Sequence, residues 1–356
     1  MNGASDAVGE RGLMARRFIV HVGAPKTGTS AFQEWAVANR DALLQAGFLY
    51  SATGATAGGN HAALVSALGG AIEDQARTAH LIRLFEKDLS ANPDADVILS
   101  AEIMTTLRFL PNMTRLHRAV ARYADHATVV LVVRDQISWR NSCYAQTREM
   151  MTPLKPFREY VAVGKHGPRG GNWDFLEQRY RRAGFDFETL AFDRRVRDVG
   201  IVAAMSSLEC LKGLAGVVST ERRESNPSVG DLALLVAEQV RGVIAGPGAE
   251  LPPGVRPKLM PIIAQHAARL PVASFNGFDQ QLADHTRDLY RPGNDAFALR
   301  HFGCAWETLF PPSPIDHVSH DNVDDLDPRE RRRVRDVAGR VLMEAIDAGI
   351  LHVTPR

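Results

Sequence analysis

The sequence predicts an α/β fold: a P-loop-like parallel β-sheet flanked by helices on both faces, with a largely helical C-terminal part. Three observations predict it. Residues 18–22, 97–100 and 128–133 are short apolar runs without polar alternation, the pattern of strands buried on both faces. Stretches of helical period separate these runs, as the connections between parallel strands require. A loop with glycines at both ends, Gly23 and Gly28, joins the first run to the helix that follows it.

Taken in order, Phe18-Ile-Val-His-Val22 makes the first strand, and Thr29 and Ser30 open a helix. In it Phe32, Trp35, Ala36, Leu43 and Leu44 recur at helical spacing, and Gly47 stands where a C-terminal cap belongs. Phe48-Leu49-Tyr50 is a short strand, and a Gly/Thr/Ser loop over 51–60 leads to Asn60-His61 at the next helix start. A longer helix covers 71–89. The second compact strand, 97–100, runs directly into Ala101-Glu102. Helical residues 108–123 lead to the third, 128–133, which ends in Arg134-Asp135. A helix over 137–149, an irregular Pro/Gly-rich stretch to Gly171, a helix over 173–182 and a strand over 185–192 follow. Further helices are expected at 201–211, 229–244, 258–268, 278–290, 295–302 and 327–348, the last opened by the cap pair Asp327-Pro328. Residues 1–13 are expected to form a flexible tail and 14–356 a single domain.

Open parallel sheets bind ligands outside the carboxyl ends of their strands. The unusual polar features, the Lys26 loop, Glu102 and Arg134, each follow directly on a strand. The stretch from Gly23 to Ser30 is an anion cradle, because the first N–H groups of a helix lack internal partners and its dipole favours negative charge. A nucleotide P-loop reads G-x-x-x-x-G-K-[ST]. Here Gly23 and Gly28 keep the spacing, Thr29 stands where Lys belongs, and the only Lys, Lys26, lies inside the loop. Arg134, with Ser142 eight residues on and about two helical turns in, suits a second phosphate through charge-assisted paired bonds. Taken alone, this pair equally fits a salt bridge of Arg134 with Asp135 and a plain helix face for Ser142. For acid–base work the candidates are Glu102 and His61, with Glu102 preferred. Each also fits a structural place, as a first-turn carboxylate and a helix-start histidine.

The loop Pro25-Lys26-Thr27-Gly28-Thr29-Ser30, with Arg134 and Ser142 downstream, resembles the sulfotransferase family, which uses 3′-phosphoadenosine 5′-phosphosulfate (PAPS). The resemblance covers roughly residues 18–144. The helix with Gln33 and the Gly47-Phe-Leu-Tyr strand resemble bacterial members. Tyr290-Arg-Pro-Gly-Asn294 with Phe302-Gly303 more weakly resembles a stretch near the end of carbohydrate sulfotransferases. The resemblance implies that Pro25, Lys26, Thr27, Gly28, Thr29 and Ser30 hold the 5′-phosphosulfate, and that Arg134 and Ser142 hold the 3′-phosphate. Lys26 would stabilise the bridging oxygen of the leaving phosphate. No metal is required, since a sulfuryl group carries a single negative charge. Glu102 stands where cytosolic members carry their catalytic His, whereas carbohydrate members place a Glu nearer the loop. The Arg-Lys-Gly loop of cytosolic relatives is not evident, and Arg222 or Arg223 would have to replace it. The expected activity is transfer from PAPS to a hydroxyl or amine of a carbohydrate or small metabolite. The alternatives are a P-loop-type kinase or NTPase, disfavoured by the missing Lys after Gly28, and a non-catalytic nucleotide-binding relative.

Composition narrows the classes further. With 45% apolar residues, 23% charged residues and a net charge of +1, no global field draws nucleic acid or a membrane surface, so an anion site must be local. The three cysteines, Cys143, Cys210 and Cys304, lie far apart, which argues against a disulfide framework or zinc site and for a cytoplasmic location. No apolar run reaches the ~18 residues of a membrane span. Arg331-Arg332-Arg333 reads as a solvated helix face, and His317, His320 and Asp321 as a polar loop before a metal site. Trp173, Trp306, Phe275 and Tyr290 are either acceptor-pocket or core aromatics. The identity of the acceptor and the oligomeric state are not legible.

Overall fold

The computed structural model describes residues 16–162, 171–217, 229–246 and 248–351. The first half contains, in order, β1 (Arg17–Gly23), α1 (Thr29–Ala38), α2 (Arg40–Gln45), β2 (Phe48–Leu49), α3 (Ala62–Leu68), α4 (Gln75–Ala91), β3 (Asp96–Ser100), α5 (Met113–Val120), β4 (His126–Val133), α6 (Gln136–Glu149) and α7 (Phe157–Ala162). Then come α8 (Trp173–Ala183), β5 (Asp186–Ala191), α9 (Arg194–Val199), α10 (Ile201–Met205), α11 (Asp231–Ala245), α12 (Val255–Ala267), α13 (Gln280–Phe302), α14 (Trp306–Leu309) and α15 (Pro328–Asp347).

The five strands are all parallel and lie in the order β2-β3-β1-β4-β5. The strand that leads into the glycine loop, β1, is central, paired through His21↔Ser100 with β3 and through Gly23↔Val132 with β4. A central strand is covered on both faces, which is why its residues are apolar in succession. Ile19 packs with Phe32, Ala36, Ile98, Val130, Met205 and Leu211 on one face. Its neighbour Phe18 points the other way, its ring 5.9 Å from that of Phe85. The predicted parallel α/β sheet is present.

Several helical stretches differ from expectation: residues 32–44 are divided between α1 and α2, the helix expected over 201–211 is α10 followed by a 3₁₀ stretch from Glu209, and the stretch expected to be irregular contains α7. The helix expected from residue 108 begins only at Met113, because Pro111 lies in a 3₁₀ turn, Leu110–Asn112. Residues 280–302 form one 23-residue helix through Pro292, where two were expected. A proline removes one intrahelical hydrogen bond, and the other bonds of so long a helix carry the chain past it.

Packing divides the chain into two compact units. The first, with described residues 16–134, 172–217 and 293–310, holds the whole sheet. The second, with 135–162, 171, 229–246, 248–292 and 311–351, is helical. In it α11, α12 and α15 enclose Val236, Val240, Leu259, Val337 and Val341, while Tyr144, Phe157, Tyr160, Phe275 and Phe278 form an aromatic cluster. Trp173, Trp306, Phe275 and Tyr290 are all buried.

In the first unit Glu177 of α8 is only 2% exposed. It accepts hydrogen bonds from Arg181 Nε at 2.7 Å, Arg300 Nη2 at 2.7 Å and His301 Nε2 at 2.8 Å. Burial alone would push this carboxyl up, but the three bonds outweigh it and hold the pKa at about 2. A folded-state value below the ordinary 4.5 means the stabilisation is complete above pH 4.5 and is lost as pH falls towards 2. Glu177→Gln is expected to lower the melting temperature by several degrees at neutral pH. It should also flatten the acid-side decline between pH 4.5 and 2, followed by circular dichroism.

Candidate active site

β1 ends at Gly23, and the chain must turn within a few residues to start α1 at Thr29. Glycine makes the close approach possible: a Cβ on Gly23 would lie 1.9 Å from Thr29 Oγ1. Thr27 and Thr29, both buried, turn their hydroxyls to the Ala24 carbonyl at 2.6 and 3.4 Å. These hydroxyls thus shape the loop from within. Gly28 precedes α1 in the left-handed region, at φ 82, where glycine carries no steric penalty. No side chain caps α1, and its first turn has no acidic residue. The N–H groups of that turn, with the exposed Ser30, are therefore suited to an anion.

Among the described residues only Lys26 and Met151 have a positive φ without being glycine. Lys26 sits at φ 67. For a residue with a Cβ this costs about 1–2 kcal/mol, and such strain gathers at functional sites. The Lys26 carbonyl accepts a hydrogen bond from Arg134 Nη1 at 2.8 Å. Arg134 follows the last residue of β4, its guanidinium 5.9 Å from the Phe192 ring centre, and its carbonyl accepts from Trp173 Nε1 at 3.1 Å. The strand-end arginine thus braces the strained residue of the loop.

Glu102 opens the 3₁₀ turn after β3 and is half-buried. Burial pushes its carboxyl above the ordinary range, and the Lys26 charge draws it partly back down. The two side chains are therefore within electrostatic reach of each other, and no direct ion pair joins them. A carboxylate raised this way is the stronger proton acceptor.

His61 is fully buried. Its Nδ1 accepts from the Ser100 N–H at 3.1 Å, so the proton is on Nε2, which donates to the Ser51 carbonyl at 2.8 Å. Burial pushes the imidazole pKa down to about 4. Both ring nitrogens are engaged with the main chain, so the geometry gives His61 a bracing place.

Sequence reasoning missed a buried polar group beside these residues. Ser100 Oγ accepts from Gln33 Nε2 at 3.0 Å and lies 2.9 Å from His21 Nδ1. The available signal was His21, a polar residue in the middle of an otherwise apolar strand.

Ser142 lies in the second turn of α6, in the second unit, and its side chain makes no hydrogen bond among the described residues. Arg222 and Arg223 fall outside the described residues. The Asp321 carboxylate accepts from Tyr144 Oη at 2.7 Å and from the Phe157 N–H at 2.8 Å, a structural use. Among the described residues no group of three or more His, Cys, Asp and Glu is arranged to hold a metal, and no helix is long and apolar enough to cross a membrane.

No protein-family model and no curated protein matches the chain. Among solved structures, a sulfotransferase from Alicyclobacillus acidocaldarius is similar at 16% identity over 65% of this chain and 94% of that one, with a TM-score of 0.37. A likeness at that identity and score does not place the chain in a family.

The strain at Lys26 separates two substitutions. Both Lys26→Gly and Lys26→Ala remove the ammonium, but only glycine relieves the left-handed backbone. The glycine variant is expected to be the more stable by about 1 kcal/mol, read as a higher melting temperature. Equal melting would mean that the loop does not hold residue 26 at positive φ.

Proposed function

We propose that this chain is a sulfotransferase that moves a sulfuryl group from PAPS to a hydroxyl or amine of a small-molecule or glycan acceptor. The observation that carries the proposal is Lys26. It stands inside the loop instead of after Gly28, in a strained conformation held by Arg134, and within electrostatic reach of a desolvated carboxylate, Glu102. An anionic phosphosulfate fits the donor set: helix N–H groups without a side-chain cap, one ammonium, and no carboxylate in the first turn of α1.

In this mechanism the backbone amides at Thr29 to Ala31 bind the 5′-phosphosulfate, while Thr27 and Thr29 hold the loop in shape. Glu102 accepts the proton of the acceptor hydroxyl or amine as its oxygen or nitrogen attacks sulfur in line. The bond from sulfur to the bridging oxygen breaks, and Lys26 stabilises the negative charge that collects on that oxygen. The products are the sulfated acceptor and 3′-phosphoadenosine 5′-phosphate. Arg134 keeps Lys26 placed from behind. These residues all belong to the first unit, and Arg134 would also meet the 3′-phosphate.

Titration calorimetry with 3′-phosphoadenosine 5′-phosphate and with ATP is the first test. Clear preference for the bisphosphate is expected, and equal or stronger binding of ATP would favour the kinase alternative. With a turned-over acceptor in hand, Lys26→Ala is expected to lower kcat about 10²–10³-fold. Because its raised pKa lies above the ordinary carboxylate range, Glu102 becomes a competent base only as pH rises through that value. The parent kcat/KM should therefore climb with pH on its acid side. Glu102→Gln should remove that climb and cost about 10²–10⁴ in rate.

A further inference from the structure

Ser100 is the last residue of β3, two before Glu102, and is fully buried. Each of its polar groups is engaged. Its N–H donates to His61 Nδ1 at 3.1 Å, and its carbonyl accepts from the His61 N–H at 2.7 Å. Its hydroxyl accepts from Gln33 Nε2 at 3.0 Å and pairs with His21 Nδ1 at 2.9 Å. The next residue is tied as well, since the Ala101 N–H donates to the His21 carbonyl at 3.0 Å.

The partners matter for where they stand. His21 is on β1, two residues before Gly23. Gln33 is on the second turn of α1, one turn after Ser30. Ser100 therefore joins the chain on both sides of the Lys26 loop to the strand that delivers Glu102. Both imidazoles are held by packing: the His21 ring lies 4.8 Å from that of Phe32, and the His61 ring 4.7 Å from that of Tyr50. Burial keeps both rings neutral, with pKa values of about 3 and about 4, so each retains the nitrogen lone pair that such a network uses. In a buried network every lost bond leaves a desolvated donor or acceptor, and since His21 Nε2 already has no hydrogen-bond partner among the described residues, the arrangement depends on the bonds that Ser100 makes.

We propose that Ser100 is a positioning residue which, through His21, Gln33 and His61, sets how far Glu102 stands from Lys26. The proposal rests on the sulfotransferase reading only for the role of Glu102 as base. The spacing itself is measurable without turnover.

The experiment uses the full chain with ¹³C-labelled glutamate side chains, the Glu102 signal being assigned from Glu102→Gln. In the parent background Lys26→Met removes a positive neighbour and should raise the Glu102 titration midpoint. The size of that rise reports the separation of the two charges. In Ser100→Ala, shown to be folded by circular dichroism, the rise is expected to shrink to about half or less. Gln33→Met cuts only the tie to α1, should reduce the rise in the same direction, and carries the test if Ser100→Ala does not fold. An unchanged rise in a folded variant overturns the proposal. In turnover, the same variants are expected to lose about tenfold in kcat at unchanged KM for PAPS, with the acid limb of the pH profile moving with the NMR midpoint. If the parent transfers no sulfuryl group yet the midpoints behave as expected, the functional reading fails and the positioning role stands. Transfer with an unresponsive midpoint gives the opposite result.

Discussion

The site depends on the shortness of the turn between β1 and α1. A central parallel strand must hand its chain to a helix that packs back on the sheet, and here only Ala24 to Gly28 separate them. The turn closes because Gly23 has no side chain where Thr29 packs, and because Gly28 takes a left-handed conformation. Once it closes, two consequences follow together. The N-terminus of α1 is presented at the carboxyl edge of the sheet, and Lys26 is pushed into a backbone conformation that a side-chain-bearing residue adopts only at a cost.

That cost is carried by contacts elsewhere in the same unit. Arg134 grips the Lys26 carbonyl from the end of β4, and Trp173 in turn holds the Arg134 carbonyl from the start of α8. On the other side of β1, the end of β3 is bound through Ser100 to β1, α1 and His61. Three adjacent strand ends, β3, β1 and β4, thus supply a carboxylate, a loop ammonium and a bracing guanidinium. Burial makes the carboxylate more basic while the ammonium restrains it, and that opposition gives the pair its chemical interest.

Particular residues show how far such a site can be anticipated. Lys26, Glu102 and Arg134 were visible because each follows an apolar run, and a parallel sheet collects strand ends on one edge whatever lies between them. A motif does not reveal which way a threonine hydroxyl turns, and here those of Thr27 and Thr29 both face the Ala24 carbonyl. His61 drew attention as a base by residue type and loop context. Its actual hydrogen bonds run to Ser51 and Ser100, ten and thirty-nine positions away, and no local pattern encodes them.

By itself the sequence determined the parallel α/β sheet, the order of most of its helices and the unusual place of the loop lysine. These follow from periodicity and from glycine spacing, which are local properties of the chain. Only the tertiary structure decided which strand is central, that Arg134 braces Lys26 across 108 positions, and that Ser100 gathers residues from β1, α1 and the start of α3. Such pairings arise because burial drives most desolvated donors and acceptors to find a partner among whatever the fold brings near, and that neighbourhood is set by packing and not by position in the chain.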